Sequence, residues 1–266
     1  FVNGVAQFEF NNPIQADSVL NHVRITPDPK NQDVPLVRAY DGERVINLNP
    51  WALEAGKKYT ITLGKEIKDT FGQTLEKDIS VDYQTGDLAP DLWVPSNLNI
   101  FPSSTNSQSE LQLNISTVNL NQYKAAYQIV QPTDLVYASS AYPQGRENDL
   151  LPPVASWKTE KVVNTKNAAL ETPVPLRSLL GGSTGMLAYG VQARTSQYVE
   201  NGKTQWAEPA FYGLVQMTNL GVFGQWFPES GLVRVHHLSD GQAVANATVE
   251  VYRSQLEAKS FPPPTP

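Results

Sequence analysis

The most constraining feature of this chain is a strict alternation of apolar and polar residues, cut at short intervals by turn residues. Tyr59, Ile61 and Leu63 fall on one side of one run, and Ile79, Val81 and Tyr83 on one side of a second. Leu111, Leu113 and Ile115 do the same in a third. A period of two places alternate side chains on opposite faces of a strand, so one face can be buried while the other meets water. Asp41-Gly42, Asn201-Gly202 and Asp240-Gly241 supply sharp reversals between such runs. Turn signals every 8–12 residues predict an all-β chain of tandem antiparallel β-sandwiches.

The alternation divides the chain into three stretches. Residues 1–88 hold at least six short apolar runs: 5–10, Val23 with Ile25, 36–39, 45–48, 59–63 and 79–83. A short polar segment, 15–21, separates the first two. Asp69 and Gly72 are expected to lock a tight turn, the carboxylate accepting nearby backbone N–H groups and Gly72 taking the left-handed conformation. Pro90, Pro95 and Pro102 stiffen a junction containing Trp93, expected either to cover a seam between modules or to join the second core. Residues 89–209 form the second stretch. A helix could be drawn through 120–129, but its shortness and Pro132 favour a strand. Further strands are expected at 157–164 and 186–193, with a short element at 135–137, a polar excursion at 143–153 and a single turn at 176–180. Residues 210–266 begin a third unit, with strands at 214–218, 231–237 and 248–252, Val249 and Val251 facing inward. A sandwich needs roughly 100 residues to close, and 57 follow Pro209, so this unit is expected to be incomplete.

Composition narrows the function. The net charge is -6 and the pI near 5.1. Nucleic acid and anionic membrane, which need clustered Lys and Arg, are disfavoured as partners. There is no cysteine, so thiolate metal sites, cysteine nucleophiles and disulfides are excluded. No apolar run approaches the roughly 18 residues of a spanning helix. The opening FVNGVAQFEF is not a signal peptide. A start without Met and a proline-rich end read as a piece of a longer protein.

No reactive constellation emerges. His236 and His237 are adjacent, and on a regular strand they face opposite ways, so they cannot share one metal. His22 is isolated. Asp17, Asp28, Asp33, Asp41, Asp69, Asp87 and Asp91 lack the dense spacing of a calcium loop. Residues 181–185, GGSTG, lack the lysine and following helix of a phosphate loop and read as a hairpin connection. No Gly-x-Ser-x-Gly elbow occurs. Asn114-Ile115-Ser116 and Asn246-Ala247-Thr248 match the glycosylation acceptor pattern, at a frequency chance explains. Trp206, Phe211, Tyr212, Phe223, Trp226 and Phe227 crowd one span; they could pack a seam or form a partner surface. The catalytic, cofactor and metal residues expected from the sequence are therefore none.

Two stretches carry a family resemblance. Residues 214–221, LVQMTNLG, and 240–252, DGQAVANATVEVY, resemble the opening of a macroglobulin-like domain of the bacterial alpha-2-macroglobulin family, with Ala243 where the family usually has proline. Leu53, Gly56, the run 59–63, residues 68–72, Leu75 and residues 85–87 are similar to the bacterial Ig-like module that precedes such domains. The resemblance implies tandem Ig-like and macroglobulin-like β-sandwiches without enzymatic activity. It implies the N-terminal scaffold of a protease-trapping protein of the periplasm or cell envelope, with a lipid anchor at a missing N-terminus as one option. Such proteins collapse around an attacking protease when a bait region is cut, and many acylate it through a Cys-x-Glu-Gln thioester; this chain has neither that motif nor an identifiable bait. The implied partners are target proteases, the remaining macroglobulin domains of the same chain and a peptidoglycan-synthesis protein; no cofactor is implied. The alternatives are an Ig-like surface or adhesion module, and accessory domains of a polysaccharide-acting enzyme.

Overall fold

The computed structural model describes residues 6–31, 33–103, 110–134 and 150–251. Among them the strands form sheets, antiparallel except for one pair, in two compact units, Phe1–Pro90 with Thr165–Ala168, and Asp91–Asn164 with Ala169–Pro266. The expected short element at 135–137, most of the excursion at 143–153 and Tyr252 lie outside the described residues.

The first unit sets two three-stranded sheets face to face. One has the order β1 (Gln7–Glu9), β4 (Val45–Leu48), β3 (Val37–Arg38); the other β2 (Val23–Thr26), β5 (Lys58–Leu63), β6 (Ile79–Gln84). Alternation sends Tyr59, Ile61 and Leu63 of β5 into the core with Ile14, Val19, Ile46 and Leu48. The polar stretch 15–21 departs from the sequence reading. It forms helix α1 (Ala16–His22), in which Val19 is the buried residue. The Asp41 carboxylate, distant in sequence, accepts the Ala16 N–H at 2.7 Å and caps the first turn.

The turn after β5 forms as expected. Asp69 Oδ1 accepts the N–H groups of Phe71 and Gln73 at 2.9 and 2.7 Å, Oδ2 accepts Asn12 Nδ2 at 2.7 Å, and Gly72 has a φ of 83°. Burial pushes the Asp69 carboxyl up, but the bonds from Gln73, Asn12, Phe71 and Gly72 outweigh it and hold it below its ordinary value. Thr85 closes the unit from inside: its buried hydroxyl donates to Glu54 O at 2.7 Å and accepts the Lys57 N–H at 2.8 Å. Asp87 accepts Asn167 Nδ2 and pairs with Lys166 Nζ, each at 2.9 Å, which keeps its carboxyl below the usual carboxylate range.

The second unit sets a five-stranded sheet against a three-stranded one. The larger has the order β11 (Lys158–Lys161), β10 (Gln122–Val130), β13 (Gly185–Gln192), β16 (Ala210–Thr218), β8 (Asn97–Pro102), with β8 parallel to β16. The smaller is β12 (Ala169–Pro175), β9 (Gln112–Val118), β7 (Asp91–Trp93). Leu113 and Ile115 of β9 meet Leu187, Tyr189 and Val191 of β13 in the core, as the alternation requires. The stretch 120–129 is strand, not helix. Trp93 belongs to β7 but is 57% exposed, so it is not a core residue of this unit. Residues 176–180 form helix α2 (Leu176–Leu180), capped by Gly181 at φ 66°. The sequence boundary at 209/210 falls inside the hairpin that joins β13 to β16.

Strand β13 is buried on both faces. Away from the main core, Val130, Met186, Ala188 and Leu214 form a second cluster covered by Leu150 and Leu151. The strand expected at 157–164 forms as β11, and Trp157 just before it lies over Gly190, donates Nε1–H to Pro152 O at 2.8 Å and meets the Tyr212 ring edge-on at 5.8 Å. A Cβ on Gly190 would overlap the indole.

Two ribbons complete the unit. β14 (Ser196–Glu200) and β15 (Lys203–Ala207) form a hairpin through Asn201 and Gly202, at φ 52° and 73°, as Asn-Gly predicts. β17 (Leu220–Trp226), which the sequence reading did not include, pairs along its whole length with β18 (Gly231–His237). The expected strand at 248–252 is absent among the described residues: 248–251 have no ladder, and Val249 is 44% exposed. Among the described residues no ladder partner is recorded for it.

Two outcomes follow from this packing. Gly190→Ala should lower the stability of the second unit by about 1–3 kcal/mol through overpacking, and the penalty should shrink in a Trp157→Ala background, read by thermal unfolding of the four proteins. Because the folded Asp69 pKa is depressed, its charge contributes stability that is present above the unfolded value near about pH 4 and is lost as pH falls through the folded one. The melting-temperature gap between the native chain and Asp69→Asn should therefore close on acidification; a gap constant from pH 7 to about pH 2 would contradict this assignment.

Candidate functional site

The best-organised polar group in the first unit surrounds Asp69. It borders a cavity of about 190 Å³ lined also by Phe10, Asn12, Ile14 and Gln73. Both carboxylate oxygens are already occupied, by two backbone N–H groups and by Asn12, while Gln15 Nε2 donates to Asp69 O at 2.9 Å. These bonds stabilise the anion and leave it no proton to give or take near neutrality. The group is a turn lock, not an acid–base site.

In the second unit a groove of about 520 Å³ opens at one end of the larger sheet, lined by Ile129, Val130, Leu180, Met186, Met217 and Leu220. Among the described residues its lining brings no titratable side chain into the groove. Tyr189 and Tyr127 are the strongly perturbed groups here. Burial raises both phenols, so both stay protonated near neutrality. The Tyr189 hydroxyl donates to Pro95 O and accepts Asn99 Nδ2 at 3.1 Å, and its ring lies against Gly213, where a Cβ would collide with it. Its role is to tie β8 to the sheet.

The remaining sequence candidates separate in space. His236 and His237 lie on β18 and pair with different residues of β17, Gly221 and Leu220, with His236 packed against Gly221. His22 Nδ1 is 2.8 Å from Ser18 O within α1. Among the described residues no group of three or more His, Asp or Glu could hold a metal ion. Residues 181–185 connect α2 to β13. Asn114 sits on β9, and Asn246 in a turn at φ 55°. The aromatic span divides: Phe211 packs on the main core, Tyr212 meets Trp157, and Phe223, Trp226 and Phe227 are exposed on the ribbon.

The ribbon β17–β18 exposes several large apolar side chains. Val222, Trp226 and Leu232 are each more than half exposed. The sequence reading grouped its aromatics with residues buried elsewhere, because spacing along the chain does not reveal which strand continues a finished sheet.

Comparisons bear on what such a chain is. Residues 2–85 match the family model of the bacterial Ig-like domain. The chain is 53% identical over 268 residues to a protein named alpha-2-macroglobulin homolog from Nostoc sp., a match covering 100% of this chain and 14% of that relative. The chain thus spans about 14% of the length of the curated relative it matches. Salmonella alpha-2-macroglobulin reacted with methylamine superposes with a TM-score of 0.54 at 13% identity, over 95% of this chain and 16% of that one, a likeness of fold alone. Native alpha-2-macroglobulin of Escherichia coli spanning domains MG0-NIE-MG1 aligns over 92% of this chain and 80% of that one, at 16% identity and a TM-score of 0.42. Along its whole length the chain thus matches a bacterial alpha-2-macroglobulin homologue, and it carries a bacterial Ig-like domain at residues 2–85.

Proposed function

We propose that this chain is a scaffold portion of a broad-spectrum protease trap of the periplasm or cell envelope. The observation that carries the reading is the 53% identity along the whole chain to an alpha-2-macroglobulin homolog. The geometry supports a scaffold: its polar groups lock turns and strand edges, and its two cores are closed by their own side chains. In this reading the chain positions the parts that capture a protease and does not itself touch the scissile bond. Its partners are target proteases and the remaining macroglobulin domains of the same protein, with a peptidoglycan-synthesis protein as an envelope neighbour.

The ribbon extends the reading. Residues from Leu220 onward begin a further macroglobulin-like sandwich, whose later strands cover Val222, Trp226 and Leu232. Leaving such a surface to water forfeits roughly 25 cal/mol per Å² of apolar area, which completion of the domain recovers.

The 266-residue chain alone should leave a general protease fully active, whereas a longer protein containing it should retain the protease stoichiometrically and shield large substrates from it. Stoichiometric inhibition by this chain alone would contradict the scaffold reading. Since the chain has no cysteine, Val222→Cys gives a single thiol whose maleimide labelling should be fast here and about tenfold or more slower in the longer protein. Equal labelling in both would refute the further domain.

A further inference from the structure

Among the described residues strand β6 is the edge of its sheet, paired with β5 on one side only. Its backbone phase follows from two bonds. Gly64 N–H donates to His22 O, which turns residue 64 towards β2 and hence Leu63, Ile61 and Tyr59 towards β6. Thr85 N–H donates to Lys57 O, in the same phase. The backbone groups of Ile79, Val81 and Tyr83 therefore bond β5, and those of Ser80 and Asp82 point out of the sheet. Most other sandwich edges are blunted. β1, β2, β3 and β7 have two to four residues, β11 carries Lys158, Glu160 and Lys161, and β12 carries Pro173 and Pro175. β8 is bounded by Asn97 at φ 66° and by Pro102. β6 is six residues long, with no proline, glycine or lysine. Its inward residues Ile79 and Val81 remain 40% and 41% exposed.

The sequence of this edge is complementary to itself. If a second β6 runs antiparallel with Val81 on a two-fold axis, Val81 meets Val81, Ile79 meets Tyr83, and Ser80 meets Asp82. Apolar residues then face apolar ones, and each Ser80 hydroxyl faces a carboxylate across the strands. No like charges meet. The outward backbone groups of Ser80 and Asp82 fall opposite each other as the hydrogen-bonded pairs, and Val81 takes the non-bonded position on the axis, as an antiparallel ladder requires. An isologous contact needs this matching of a surface with its own image.

We infer that β6 is a homodimerisation edge: a second copy of this chain adds its β6 antiparallel, centred on Val81, and joins two three-stranded sheets into one of six strands. A contact limited to one six-residue strand from each copy falls in the class of small, weak interfaces. It does not depend on the protease-trap reading.

Sedimentation equilibrium of the 266-residue chain from micromolar to about 1 mM tests it. The expected result is a monomer–dimer equilibrium weakened about tenfold or more by Ser80→Asp, which sets carboxylates against Asp82, and kept or strengthened by Ser80→Lys, which sets ammonium groups there. Both changes lie on the outer face, where Ser80 Oγ contacts Thr62 Oγ1 at 3.0 Å and Asp82 accepts Thr60 Oγ1 at 2.9 Å. Val81→Lys should abolish dimerisation while the circular dichroism spectrum stays that of the native chain. A monomer at every concentration would overturn the inference, as would a dimer indifferent to the charge placed at Ser80. Slow amide exchange at Ser80 and Asp82 in dilute monomer would overturn it too, by showing that a segment of the same chain already covers the edge.

Discussion

Burial of β13 on both faces is the constraint on which the second sandwich depends. Leu187, Tyr189 and Val191 fill the space between the sheets, while Met186 and Ala188 lie under Leu150 and Leu151, and Gly190 under Trp157. Such a strand needs small residues wherever a large side chain crosses it. Gly190 admits the Trp157 indole, and Gly213 on the neighbouring strand admits the Tyr189 ring. Tyr189 then reaches Pro95 and Asn99 and holds the parallel edge strand β8 against β16. One double-sided strand thus joins the core, the outer cover and the sheet edge. Replacing either glycine would disturb all three at once.

The first unit works on a different local rule. Its reversals depend on side chains and backbone conformations suited to tight turns: Asp69 over Gly72, Asn49 accepting the Trp51 N–H, and Thr85 bridging Glu54 and Lys57. Across the described residues every non-glycine residue at positive φ is asparagine, namely Asn97, Asn119, Asn167, Asn201 and Asn246. Asparagine tolerates the left-handed region better than most residues. The abundance of Asn in this chain is thus partly a turn requirement, which also accounts for an acceptor-like triplet at Asn246.

Alternation was legible wherever both members of a strand pair lay in a finished sheet. Tyr59, Ile61, Leu63, Leu113 and Ile115 are buried as their spacing demands. Helix α1 was not legible, because Val19 is its one buried residue and its N-terminal bond comes from Asp41. A helix anchored at one point leaves no stripe to read. β17 was missed because Gly221, Gly224 and Gln225 interrupt its pattern. Val249 and Val251 show the converse: among the described residues their period of two is not joined to a ladder. The fate of Trp157 depends on a glycine far along the chain, and no local pattern records that. The surroundings of the candidate residues were not legible: His236 and His237 pair with different residues of β17, and Asp69 is held in its turn by Phe71, Gln73 and Asn12.

Amide hydrogen exchange, read residue by residue on the 266-residue chain, tests most directly the claim that two closed sandwiches are followed by an open ribbon. The account predicts the slowest exchange in β5, β9, β10 and β13, and exchange in β17 and β18 faster by several orders of magnitude despite their complete ladder. Protection of Val222 and Val235 equal to that of Ile115 and Leu187 would contradict it.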